Sequence, residues 1–205
     1  MSARLVATVA GAPVSVDEVD AAEARLRNGP RAAVLPESGT GEGRQLRRWL
    51  TQLIVTERVV AAEAAARGLT PRDAPAEAEL LPDMTARLEI GSVAAAALAD
   101  PRARALFADV TATVQVTDDD VADYHARNPL RFAAPRPAQH GWRAPSLVGP
   151  PLQEVRSVIG EHLRGAARRR AFRVWLDARR AALVRLVPGY EHPGDPRQPD
   201  NTHRH

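Results

Sequence analysis

Val6-Ala-Thr-Val-Ala-Gly-Ala-Pro-Val-Ser-Val-Asp-Glu-Val19 is the stretch on which the architecture turns. The β-branched run Leu5 to Val9 reads as a short strand that ends at Gly11. Ser15 or Asp17 then caps a helix carrying Val19, Ala22 and Leu26 on one face. Asn28, Gly29 and Pro30 stop that helix. Beyond a loop at residues 35–43, Leu46, Trp49, Leu50, Leu53 and Val60 recur at helical spacing, which predicts a second helix from Arg44 to Ala66, closed by Gly68. Two shorter helices are expected at Ala76–Arg87 and Ile90–Leu98, and another short segment from Pro101 to about Val110. Thr111 to Gln115 reads as extended chain.

Thr117 with Asp120 three positions on resembles a capping box and starts a helix through Val121 and Tyr124, ended by Asn128 and Pro129. Residues 133–152 are Pro-rich and aperiodic, as a linker would be. From Leu152 to Leu186, Val155, Ile159, Leu163, Phe172, Leu176 and Leu183 recur at three, four and seven, which predicts the longest helix. Pro188 and Gly189 end it, and the remaining tail is polar. Within that tail, Gly189-Tyr-Glu-His-Pro-Gly-Asp-Pro196 is turn-specific enough to pack back on the body. The expected fold is therefore mostly α, with a short N-terminal strand and a long C-terminal helix.

The 205 residues suffice for one fair-sized core or two small lobes. Ala supplies 39 of them and aromatics only 4%, so the core must be built from Leu, Val and Ala in close-packed helices. The absence of Cys excludes disulfides, thiolate nucleophiles and sulfur-ligated zinc. Every one of the 28 basic residues is Arg, which excludes Schiff-base, Walker and Ser/Lys chemistry that needs lysine. Charge is uneven: residues 72–124 hold four Arg against eleven acids, and residues 156–185 nine Arg against two. A basic C-terminal helix lying across an acidic middle is the expectation, and it needs no nucleic acid. Neither an apolar run of transmembrane length nor a signal-peptide pattern is present, so membrane insertion is not expected and the expected location is the cytoplasm.

The opening strand-turn-helix, together with Leu50-Thr-Gln-Leu-Ile-Val-Thr-Glu57 and its Ala-rich continuation to Gly68, resembles the N-terminal chaperone region of bacterial foldases of the SurA and PrsA kind. Val116-Thr-Asp-Asp-Asp-Val-Ala-Asp-Tyr-His-Ala-Arg-Asn-Pro-Leu-Arg-Phe132 resembles the helix that leads into their parvulin-type prolyl isomerase domain. Ala171-Phe-Arg-Val-Trp-Leu-Asp-Ala-Arg-Arg180 is similar to the helix that returns from it. The chain departs from the pattern between Phe132 and Leu152, where about 20 residues stand in place of a whole isomerase domain. The resemblance therefore implies a helical lobe over residues 1–132, a linker replacing the isomerase at 133–152, a C-terminal helix at 153–187 packing back on the lobe, and a histidine-containing tail at 188–205. It implies a non-enzymatic chaperone or peptide-binding module without isomerase activity. Its partner would be an unfolded or extended polypeptide, or a specific protein, taken between helices. Trp49, Leu53, Tyr124, Phe172, Trp175 and Leu176 are the candidates for that groove or for the core beneath it.

Other motifs point to other chemistry. Gly39-Thr-Gly-Glu-Gly43 has the amides of a phosphate loop but no lysine, and reads as a connector. No Gly-x-Ser-x-Gly elbow occurs. His192, His203 and His205 with Asp195 have the donor types of a divalent-metal site, so the alternative reading is an enzyme or metal-dependent accessory protein organised by the C-terminal histidines. No cofactor is otherwise expected. His125 reads as structural. Asp118, Asp119 and Asp120 lack EF-hand spacing and read as helix-capping acids. The arginines at 168–170 and 179–180 lack the aromatic interleaving of a nucleic-acid interface, which would also require them to form one exposed stripe.

Overall fold

The computed structural model describes residues 4–30, 32–132 and 149–195. Strand β1 (Leu5–Val9) turns through Ala10 and Gly11, both at positive φ, into β2 (Ala12–Ser15). Helix α1 (Val16–Arg27) follows at once, because Ser15 and Glu18 form a reciprocal capping box. The next helix, α2 (Gly41–Ala66), begins three residues earlier than its apolar spacing indicates, since Thr40 Oγ1 accepts the Gly43 amide at 3.0 Å. Gly43 is needed there, as a β-carbon would stand 2.3 Å from the Glu37 carbonyl oxygen. The Gly-rich stretch is thus the first turn of a helix.

The single helix expected at Ala76–Arg87 is two, α3 (Glu77–Leu80) and α4 (Met84–Ile90). Pro82 forces Leu81 out of helical geometry, and Asp83 then caps α4 through the Ala86 amide. Gly91, at φ 88°, separates α4 from α5 (Ser92–Ala97), and Asp100 caps α6 (Pro101–Val110). Residues 111–115 are not a strand; the Thr111 hydroxyl donates back to Phe107 and the chain turns. Helix α7 (Asp118–Arg127) has the capping box expected of Thr117 and Asp120.

Helix α8 (Leu152–Leu183) runs 32 residues, roughly 48 Å. It ends three residues short of Leu186 because Val184–Leu186 forms β3, antiparallel to β1, giving the sheet order β2-β1-β3. The fold is mostly α with a small N-terminal sheet and a long C-terminal helix. No helix among the described residues is long and apolar enough to cross a membrane.

Two cores sit along α8. The main one joins Val6, Val14, Val19, Leu50, Val55, Val59, Leu98, Leu106, Phe107, Phe172 and Leu176. Phe107 and Phe172 meet at its centre, 5.0 Å between rings. A smaller one joins Val121 of α7 to Val155 and Ile159 of α8. Both edges of the sheet are covered by arginine: Arg58 donates to the Pro13 carbonyl, and Arg185 folds back on the Val184 carbonyl at 3.0 Å. Such coverage removes acceptors that another strand would use.

Candidate functional site

The six groove-or-core candidates divide by burial. Phe172 and Leu176 are 1% and 3% exposed and belong to the main core. Trp49, Leu53 and Trp175 are half-buried. Trp49 donates its indole N–H to Ser92 Oγ at 3.1 Å, and Trp175 stacks on Phe172 beneath the Arg67 guanidinium. Tyr124 belongs to the smaller core, with its hydroxyl 3.3 Å from His162 Nε2 and its ring 6.2 Å from Phe132. Burial pushes the His162 imidazole below its usual range, as do Arg131 and Arg169, against the opposing pull of Glu89 and Asp83.

Of the metal candidates, His192 and Asp195 are among the described residues. His192 and Asp195 share one turn, in which the Asp195 amide donates to the His192 carbonyl at 2.8 Å and Gly194 N–H to His192 Nδ1 at 3.0 Å. His203 and His205 lie outside the described residues. Among the described residues no three metal-ligating side chains converge.

The basic helix pairs with the acidic middle only in part. Arg169 Nε reaches Glu89 at 2.7 Å and Arg156 reaches Asp118 at 2.7 Å, as the charge distribution leads one to expect. Arg179, however, pairs with Glu63 of α2, and Arg180 donates to Gln52 Oε1, also on α2. Arg168 donates to Thr111 Oγ1 and covers the Phe107 ring. These side chains point to different neighbours rather than forming one stripe. A second network holds the loop before α2: buried Glu23 accepts from Arg27, Arg47 and Ser38. Burial pushes the Glu23 carboxyl up, but those arginines outweigh it and hold it below the carboxylate range.

A cleft of about 510 Å³ lies between α1, α2 and the start of α6. Ala21, Ile54 and Ala61 line it together with the acids Glu57 and Asp100 and the arginines Arg25 and Arg102. Desolvation and the neighbouring Asp100 raise the Glu57 carboxyl, with Arg25 opposing. The periodicity of α2 conceals this cleft, because Glu57 and Arg58 read simply as its solvated face.

The chain before residue 133 and the chain after residue 148 come together. His125 Nε2 donates to the Pro150 carbonyl at 2.8 Å, and the Gly149 backbone lies so close to Pro129 that a β-carbon would stand 1.9 Å from its oxygen. Sequence reasoning also passes over Gln52, which is 1% exposed and links three elements. Its Nε2 donates to the Tyr190 carbonyl at 2.8 Å while its oxygen accepts from Arg180. Its one available signal is an amide in the middle of an apolar helical face.

Residues 5–42 match the model of DUF7158, a family of unknown function. No curated protein matches the chain. No solved structure matches it either.

Proposed function

We propose that this protein is a polypeptide-binding chaperone module resembling the non-catalytic lobe of SurA- and PrsA-like foldases, without an isomerase domain. The observation that carries the reading is the stapled pair of chain ends at Pro129–Gly149 and His125–Pro150. Where the flanks of a segment are held against each other, the length between them can change without disturbing what lies on either side. The resemblance puts the isomerase at this place in related foldases; here 16 residues, 133–148, separate Phe132 from Gly149. The return of α8 to the lobe and the order of elements before α7 support the same reading.

Binding would fall to apolar side chains left partly outside the cores. Trp49, Leu53 and Trp175 are half-buried, and Met84 and Leu88, one turn apart on α4, are 67% and 74% exposed. Apolar burial would supply affinity, with arginine and acidic side chains biasing the choice of partner. The test is suppression of aggregation of a chemically unfolded client by the full chain, with a prolyl isomerisation assay alongside. Protection without isomerase activity is expected. Failure of the folded protein to protect any client removes the reading and returns attention to metal binding by the tail histidines.

A further inference from the structure

The segment after β3 is held the way a bound peptide is held. Pro188 and Gly189, the latter at φ 96°, turn the chain, and the Tyr190 amide donates to the Val187 carbonyl. Tyr190 then packs against the main core, and its carbonyl oxygen receives the Gln52 side-chain amide at 2.8 Å. Residues 187–195 form neither helix nor strand; Val187 still continues the ladder by donating its N–H to the Val6 carbonyl at 2.9 Å, and the contacts that hold the chain beyond it include the Gln52 amide and the packing of Tyr190.

Gln52 is prepared for that task from the other side. Arg180 of α8 donates to its oxygen, which orients the amide and directs its NH2 at the chain lying over it. A side-chain amide that reads a main-chain carbonyl makes no demand on sequence, and the adjoining apolar contact asks only for a bulky side chain. Those are the two requirements of a site for extended polypeptide.

We propose that residues 188–195, beyond the last ladder bond at Val187, form a strap that occupies a polypeptide site built on Gln52, Arg180 and the rim of the main core. When the strap lifts, an extended segment of another polypeptide takes its place, with a main-chain carbonyl on Gln52 and an aromatic side chain where Tyr190 sits. The inference rests on the polypeptide-binding reading above and gives it a location. Because the strap is tethered, its effective concentration is high, and a free peptide competes poorly until the strap is weakened.

The experiment uses a fluorescently labelled peptide, Leu-Val-Pro-Gly-Tyr-Glu-His-Pro-Gly-Asp, copied from residues 186–195. Its binding to full-length wild type and to the full-length Tyr190→Ala variant is followed by anisotropy. Tyr190→Ala removes the strap's anchor and leaves Gln52 and Arg180 intact, so capture is expected to be at least about tenfold tighter than in wild type. A peptide with Ala in place of its Tyr should not bind. Equal binding by both proteins, or none by either, overturns the proposal. Since Tyr190→Ala could loosen the fold, its thermal midpoint is measured, and the milder Tyr190→Leu, which keeps a bulky anchor, should retain the wild-type weakness for peptide. Client protection is assayed in parallel. Peptide capture without protection upholds the site and removes the chaperone reading; protection by wild type and variant alike, with no capture, upholds the chaperone reading and removes the strap.

Discussion

Arg169 of α8 lies with its Nε 2.7 Å from Glu89 Oε2 of α4, and the two are unequally buried: the Arg169 side chain is 6% exposed and that of Glu89 36%. The Leu80 carbonyl gives the guanidinium a second acceptor at 3.3 Å. The inequality sets how each partner responds to loss of the other. Removing Glu89 strands a buried cation, whereas removing Arg169 leaves a carboxylate that water can reach.

Glu89→Ala is therefore expected to destabilise the protein by about 2–3 kcal/mol, somewhat less than a fully buried pair would cost because one partner is partly solvated. Arg169→Met, which replaces the buried stem and leaves Glu89 hydrated, should cost less. Urea unfolding of both variants measures the difference, and an equal or reversed order would contradict the assignment.

His162 and His192 both contribute to the pH dependence of stability near neutrality. Burial depresses His192, assisted by Arg180 against Asp177 and Asp195, and it depresses His162 for the reasons above. Both folded values lie below the ordinary 6.5, so just below that pH the unfolded chain takes up more protons than the folded one. The stability these groups contribute is complete above about 7.5, falls as pH drops through 6.5, and is lost below their folded values. Denaturation at intervals from pH 8 to 5 should show the decline, reduced in His162→Gln. Glu23, held below 4.5, adds a separate loss at more acid pH.

Phe172, 1% exposed, packs tilted against Phe107 and stacks on Trp175. Phe172→Ala should cost about 3–5 kcal/mol, as truncation of a buried aromatic does. Leu88→Ser, at 74% exposure, should change stability by no more than about 0.5 kcal/mol. If the apolar face of α4 contacts clients, Leu88→Ser lowers protection at unchanged stability, and unchanged protection excludes that face from binding.

Gly43→Ala places a methyl 2.3 Å from the Glu37 carbonyl oxygen and should cost about 1–3 kcal/mol through displacement of the preceding loop. Gly39→Ala meets no atom within 4 Å but must adopt φ 87°, so its cost is conformational, about 1 kcal/mol. Thermal melts of the two variants separate a steric from a torsional requirement.

The elements with a strong internal signal were legible without tertiary structure: the Leu5–Val9 strand, a helix start at Ser15 or Asp17, the capping box at Thr117, the apolar spacing of α2 and the three-four-seven recurrence of α8. Their hydrogen bonds and caps are local, so residues within a few positions of one another decide them. Local reading fails where a distant segment decides. Val184–Leu186 continues the apolar pattern of α8 but becomes a strand because β1 offers it a ladder. Pro82 is a local breaker, yet the helical spacing around it conceals the break.

The candidate site divides along the same line. Sequence alone determined the absence of lysine and cysteine chemistry, the helical class, the apolar residues that the helices would bury and the turn after Pro188. Only the tertiary structure decided that Phe172 and Leu176 are core, that Arg179 and Arg180 reach α2 instead of the acidic middle, and that Gln52 joins Arg180 to the Tyr190 carbonyl. A contact between residues 138 positions apart leaves no periodicity in either segment. It exists because α2, α8 and the chain after β3 are brought together by burial of a common core.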